Sequence, residues 1–218
     1  MILVEAAVED LESALAVARA GADRIELCVN LNEGGTTPST GLTAAVVDGT
    51  HLPVFVLIRP RAGDFVYSDD EIELMSRDVE TAGSIGAAGI VTGALTSDYA
   101  IDVEQTRALV KAAAGLPVTF HRAFDVTMSK SDALEQLIDL GVTRVLTSGG
   151  ATTAMEGADV IAALADQARD RIAIIAGGGI REHNVSDVIA RTAVREVHTR
   201  FVGEARLREL VDVVKGKA

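Results

Sequence analysis

Aromatic residues are scarce in this chain of 218 residues: there is no tryptophan, with two tyrosines and five phenylalanines making 3% of the total. Basic charge is scarce as well, since 20 Lys and Arg stand against 32 Asp and Glu for a formal net charge of -12. These two shortages exclude the usual ways of holding nucleic acid, a basic stripe against phosphates or rings stacked on unpaired bases. An anionic membrane surface is excluded by the same sign of charge. No apolar run reaches the 18 or more residues of a membrane span, and the opening MILVEAAVED has no basic segment before Glu5 interrupts it, so a cytoplasmic location is expected. Cys28 is the only cysteine. It can form no disulfide within the chain, and a lone thiol fits a reducing compartment. The four histidines form no pair at helical spacing, and no CxxC is present, which argues against a dedicated zinc site.

What the chain has is core material: 48% hydrophobic and 24% charged residues. At this length folding removes roughly 70% of the extended chain's surface from water, enough for one core without disulfides or metal. A short β-branched run, a turn and a stretch of helical spacing recur eight times, with strand candidates at 2–7, 24–28, 54–58, 89–93, 118–121, 144–147, 172–176 and 195–198. Between them apolar residues fall at three- and four-residue steps, as in Leu11, Ala14, Leu15 and Ala18, or Ile72, Met75 and Val79. Ser68 with Glu71 and Thr153 with Glu156 mark helix starts, and Gly21, Gly86 and Gly141 mark stops. No linker or low-complexity segment divides the chain, so one domain over residues 1–218 is expected.

Eight βα units predict an α/β fold, a (β/α)8 TIM barrel. The rival, an open doubly wound sheet, buries its strands on both faces and wants continuous apolar runs. Several strands here alternate instead: Ile25 and Leu27 oppose Arg24, Glu26 and Cys28, and Val118 and Phe120 oppose Thr119 and His121. In a barrel the apolar set packs outward on the helices, which leaves Glu5, Glu26, Thr119, His121, Glu196 and His198 pointing inward. Buried carboxylates need partners, and Arg59, Arg61 and Arg122 are the candidates.

Barrel enzymes gather their chemistry at the carboxyl ends of the strands. RPRAGDF (Arg59 to Phe65) places two guanidiniums around a proline, a candidate clamp for a carboxylate or phosphate. HRAFD (His121 to Asp125) offers an imidazole as general acid or base, with Glu26 or Asp125 to orient it. Gly177, Gly178 and Gly179 let the backbone approach an anion or phosphate, and the helix after Glu182 or Asn184 can aim free amides at it. Each motif also has a purely structural reading: ion pairs with the interior glutamates, a satisfied core histidine, a tight turn.

LESA (Leu11 to Ala14), GADRIELC (Gly21 to Cys28), EGGTTPS (Glu33 to Ser39), IRPRAGDFVYS (Ile58 to Ser68), TFHRAFD (Thr119 to Asp125) and LTSGG (Leu146 to Gly150) together resemble the CutC copper-homeostasis family over nearly the whole chain. The resemblance implies a cytoplasmic barrel, often a homo-oligomer, that binds Cu(I). Many members carry a second cysteine in the first strand; this chain has Ala7 there, so the resemblance leaves Cys28 as the copper ligand. Three readings follow: a copper-homeostasis protein of the CutC type; an isomerase, lyase or hydrolase acting on a small anionic or phosphorylated molecule through Arg59, Arg61 and His121; or a non-catalytic subunit whose exposed patches bind a partner. The first implies a copper ion as partner and the second a small anion, with no organic cofactor. Ala44 to Val47 offer apolar residues on a helix for an oligomer interface.

Overall fold

A computed structural model describes residues 2–216 of the expected domain. Eight parallel strands close into a ring in sequence order: β1 (Leu3–Val8), β2 (Arg24–Leu27), β3 (Val54–Leu57), β4 (Gly89–Thr92), β5 (Val118–Phe120), β6 (Arg144–Thr147), β7 (Ala173–Gly177) and β8 (Glu196–Arg200), with β8 pairing back onto β1. The crossovers are α1 (Leu11–Ala20), α2 (Thr40–Gly49), α3 (Asp69–Ile85), α4 (Val103–Ala112), α5 (Lys130–Asp139), α6 (Ala158–Ala168), α7 (Val185–Thr192) and α8 (Glu204–Val214). The expected strands match these to within two residues at each end.

The helix signals act as their chemistry predicts, with one exception. Ser68 and Glu71 form a reciprocal cap on α3, and Gly21 and Gly86 take the left-handed conformation that ends α1 and α3. Thr153 and Glu156 make the same pair of reciprocal bonds, yet no helix starts there. The chain turns until α6 begins at Ala158, because Gly157 lies so close to the Ser148 carbonyl that a Cβ would sit 1.9 Å from its oxygen.

The main core lies between the ring and the helices, where Val4, Ile25, Val56, Ile90, Phe120, Val145 and Val197 pack outward against Val17, Met75, Leu109, Leu134 and Leu164. Of the Ala44–Val47 stretch, Val46 is spent on this core and the other three residues are half-buried. The inward faces are charged. Arg24 bonds Glu5 and, at 2.6 Å, Glu196, and Arg144 approaches Glu196 at 3.6 Å. Phe55 lies between the two guanidiniums, 4.9 Å from Arg24 and 4.8 Å from Arg144. Gly89 makes room for that ring, since any Cβ there would lie 2.3 Å from it.

The inward positions of Glu5, Glu26, Thr119, His121 and Glu196 are as expected, and all are buried. Their expected partners are not. Arg59, Arg61 and Arg122 lie beyond the strand ends and pair with none of the interior carboxylates, whose cations come from within the strands themselves. Opposed charges on neighbouring strands meet at the registers Glu5 to Arg24 and Glu5 to His198, a pairing set by the ring and not by sequence proximity.

Removing one partner of a buried ion pair leaves the other uncompensated at a cost of about 3–5 kcal/mol. Arg24→Met is therefore expected to lower the urea unfolding free energy by about that amount, since both Glu5 and Glu196 lose their cation. A loss below about 1 kcal/mol would show that the network does not hold the ring together.

Candidate functional site

At the carboxyl ends of the strands a cavity of about 380 Å³ descends into the ring. Glu26, Cys28, Leu57, His121, Leu146 and His198 line it from the strands, and Arg59, Phe65 and Arg122 from the loops above. A larger cleft of about 720 Å³ opens at the opposite end, around Arg169, Arg171 and Arg195, but none of its lining side chains is a buried polar group lacking a partner. Arg59 and His121, each with a buried nitrogen that lacks a partner, line the smaller cavity.

Its floor is a relay of three strands. His198 on β8 bonds Glu5 of β1 through Nδ1 at 2.8 Å and faces Glu26 of β2 through Nε2 at 3.2 Å. Burial alone would raise the Glu5 carboxyl, but His198 and Arg24 outweigh it and hold the group down at about 2. Glu26 has no guanidinium on it. Burial first, and then repulsion from Glu5, raises it to about 7 against the partial relief of His198. Burial would lower His198, but the charges of Glu26 and Glu5 override this and raise it.

His121 follows β5, its ring seated over Gly93, where a Cβ would lie 2.6 Å from Cε1. Nδ1 accepts the Ala123 N–H at 3.2 Å, so the neutral ring carries its proton on Nε2, and that atom is buried with no partner. Burial and then the Arg59 charge push the imidazole down to about 3. At neutral pH this histidine is a hydrogen-bond donor that does not ionise. That does not suit the general acid or base role expected of it, and Glu26 does not orient it, being paired with His198.

Arg59 is buried, and three backbone carbonyls hold its guanidinium: Glu33 and Gly35 at 2.9 and 2.8 Å on Nη1, and Gly63 at 2.8 Å on Nη2. Among the described residues no carboxylate lies within salt-bridge reach of it, and Nε has no partner. Arg61, expected as the other half of a clamp, is not at the cavity: Glu71 holds it at 2.6 Å, Asp64 at 2.9 Å and the Val66 carbonyl at 2.7 Å. One residue after the proline, its side chain reaches the cap of α3. Arg122 takes its place on the lining, tethered to Asp125 at 2.7 Å and Ser148 at 2.8 Å.

Asp125 is a fastener and not a neighbour of the imidazole's free nitrogen. Besides Arg122 it accepts from Thr147, from the Ser148 amide and hydroxyl, and from the Gly150 amide, pinning the loop after β6. Gly177, Gly178 and Gly179 do not line the cavity. Leu146 fills the space a Cβ on Gly177 would need, at 2.5 Å, and Gly178 packs on Ser148 and near Arg122. The glycines serve close contact between the sixth and seventh loops.

Cu(I) takes soft sulfur donors. Cys28 is fully buried, bonds the Val8 carbonyl at 3.6 Å, and has its thiol pushed far up by burial and by Glu26 and Glu9. Among the described residues no methionine lines the cavity and Cys28 joins no cluster of potential ligands, so these residues do not fit a copper cage. The one compact ligand cluster among the described residues is Glu5, Glu26 and His198, within 4.8 Å of one another, with Glu5 already committed to Arg24 and to Nδ1 of His198.

Sequence reasoning missed Arg24 and Arg144 as interior cations, although Arg24 alternates with Glu26 on the same face. It also missed the pairing of Glu26 with His198, which are 172 residues apart and meet only through closure of the ring.

The sequence profile of the CutC family matches residues 2–203. The human protein named copper homeostasis protein cutC homolog is 49% identical over 196 residues, 90% of this chain and 72% of that protein. A protein named as a CutC family member in Pasteurella multocida is 46% identical over 207 residues, 95% of this chain and 84% of that one. The crystal structure of the putative copper homeostasis protein CutC from Streptococcus agalactiae superposes with a TM-score of 0.86 at 38% identity, covering 91% of this chain and 98% of that one. Fold, strand-end motifs and extent of the match agree: the chain belongs to the CutC family.

Proposed function

We propose that this barrel is an enzyme that binds a small anionic substrate at the strand ends and moves a proton on it through Glu26. The observation that carries the reading is Arg59, a buried guanidinium held by carbonyls, without a carboxylate, on the wall of a cavity also lined by His121, whose buried Nε2 lacks a partner. A buried charge is costly unless it is matched, and an anionic ligand matches it. Two donors without partners and a carboxyl group near neutrality, all in one cavity, form the pattern expected of a catalytic pocket.

The copper-homeostasis label of the relatives fits this chain as a family role, while direct Cu(I) binding has only Cys28 to rest on. Titration with Cu(I) against a competing chelator is expected to give equally weak binding for the wild type and Cys28→Ala. A clear loss in the variant would restore the thiol as a ligand.

Oxalate or inorganic phosphate, compared with chloride at equal ionic strength, is expected to raise the melting temperature of the wild type and not of Arg59→Gln. Ligand at about 100 times its Kd adds about 2.7 kcal/mol to stability, so the shift is readily seen by calorimetry. No shift in the wild type with either anion refutes the reading.

The relay also leaves a signature in stability. Glu26 holds its proton more tightly in the folded chain, at about 7, than at the ordinary value of 4.5, so raising the pH through that window removes stability. The raised His198 acts in the same direction, its contribution present below 6.5 and lost as pH rises through its folded value. Between pH 5 and 8 the wild type is expected to lose stability on the order of 1 to 3 kcal/mol relative to Glu26→Gln, whose side chain does not titrate. Parallel unfolding curves for the two proteins across that range would place the proton elsewhere.

A further inference from the structure

The positions of the groups around the ring specify more than an anion. In the closed order β1 lies between β8 and β2, and β5 stands opposite β1. Glu26 and His198, on β2 and β8, therefore form one wall of the cavity, and His121, after β5, belongs to the other. Arg59 is the neighbour of His121: its guanidinium carbon lies 5.0 Å from the centre of the Phe65 ring, and the imidazole centre lies 4.9 Å from the same ring. The cavity thus offers a cation and a neutral N–H donor side by side, with a carboxyl group facing them.

We infer that the cavity takes a small 2-oxo carboxylate and exchanges the proton on the carbon beside its carbonyl, an inference that rests on the anionic-substrate reading above. Arg59 binds the carboxylate, and the adjacent Nε2–H of His121 takes the carbonyl oxygen on the next carbon. A 2-oxo acid has these two groups on adjoining atoms. The third carbon then extends toward Glu26. In the forward step the C3–H bond breaks and its proton passes to a Glu26 oxygen. The electron pair left behind forms the C2=C3 double bond, and the carbonyl π pair moves onto the oxygen as an enolate. Reprotonation reverses each movement, and no oxidant or second reactant is needed.

His121 suits this role because its Nδ1 is tied to the Ala123 amide, so Nε2 can only donate. A neutral imidazole donor is matched to an oxygen that gains charge in the transition state, where its hydrogen bond strengthens. Glu26 suits the base role because His198 beside it can hold a proton while the carboxylate is free, or return one. The other nucleophile on the lining, Cys28, is committed to the Val8 carbonyl.

Pyruvate, 2-oxobutyrate and 2-oxoglutarate incubated with the protein in D2O, with the C3 protons followed by NMR, test the inference. Exchange at least tenfold above buffer is expected with one or more of the three. Glu26→Gln should return it to the buffer rate, and His121→Phe should remove most of the acceleration, since loss of an acid–base or oxyanion-type group lowers rates about 100-fold or more elsewhere. Circular dichroism establishes that both variants fold; if His121→Phe does not, His121→Gln, which keeps an N–H donor, is expected to retain more exchange than any apolar replacement that folds. No acceleration with any of the three acids, or equal acceleration in Glu26→Gln, overturns the inference. If the acids still raise the melting temperature in an Arg59-dependent way, anion binding stands and only the enolisation falls. If they do not, both fall.

Discussion

The interior of this ring has to balance its own charge. Three carboxyl groups, Glu5, Glu26 and Glu196, face two guanidiniums, Arg24 and Arg144, and one imidazole, His198. The set is neutral when the pair Glu26 and His198 holds one proton between them. Ionised groups buried without partners cost several kcal/mol each, so the strands are held in a register that brings Arg24 to both Glu5 and Glu196. An apolar interior would hold a barrel together more simply. This one keeps a polar network whose last member, on the cavity side, is a carboxyl group with no cation of its own except a histidine.

That asymmetry separates structure from chemistry within one network. At its lower end, Arg24 and Arg144 lie 4.9 and 4.8 Å from the Phe55 ring centre and both pair with Glu196. At its upper end, Glu26 is raised and Glu5 lowered although both are buried on adjacent strands, because Glu5 is hydrogen-bonded to both Arg24 and His198 while burial of Glu26 and repulsion from Glu5 outweigh the charges of His198 and the more distant Arg24. Two acidic groups with values pushed apart by their surroundings make the pattern that, in the proposed reaction, separates a fixed counter-charge from a proton carrier. The lowered one, Glu5, fixes Nδ1 of the imidazole, and Nε2 faces the raised one.

Much of the fold was legible in the sequence because it depends on local pattern. The alternation of Ile25 and Leu27 with Glu26, and of Val118 and Phe120 with Thr119, records which face meets helices and which meets the ring interior, and that face assignment is what excludes an open sheet. The helix ends at Gly21 and Gly86 were legible for the same reason. Thr153 and Glu156 were not, since their reciprocal bonds do form and the helix is forestalled by the contact of Gly157 with the Ser148 carbonyl, two loop positions nine residues apart. Pairing across the ring was illegible in principle: Arg24 meets Glu196 and Glu26 meets His198 only after the eighth strand returns to the first.

The candidate site shows the same division. The strand-end motifs pointed to the carboxyl ends of the strands, and His121, Arg59 and Glu26 do line one cavity there. Their roles depend on what each bonds, and sequence carries little of that. Arg59 and Arg61 are two residues apart with the same side chain, yet one is caged by carbonyls of the loops around Glu33 and Gly63 and keeps an unmatched charge, while the other is neutralised by Asp64 and Glu71. His121 reads as an acid or base from its type alone; the Ala123 amide on Nδ1 and the guanidinium nearby make it a donor. The cation that cannot be neutralised by the chain and the imidazole that cannot be charged by water belong to one arrangement, since each depends on the same burial, and the Phe65 ring that both touch is part of what excludes solvent from them.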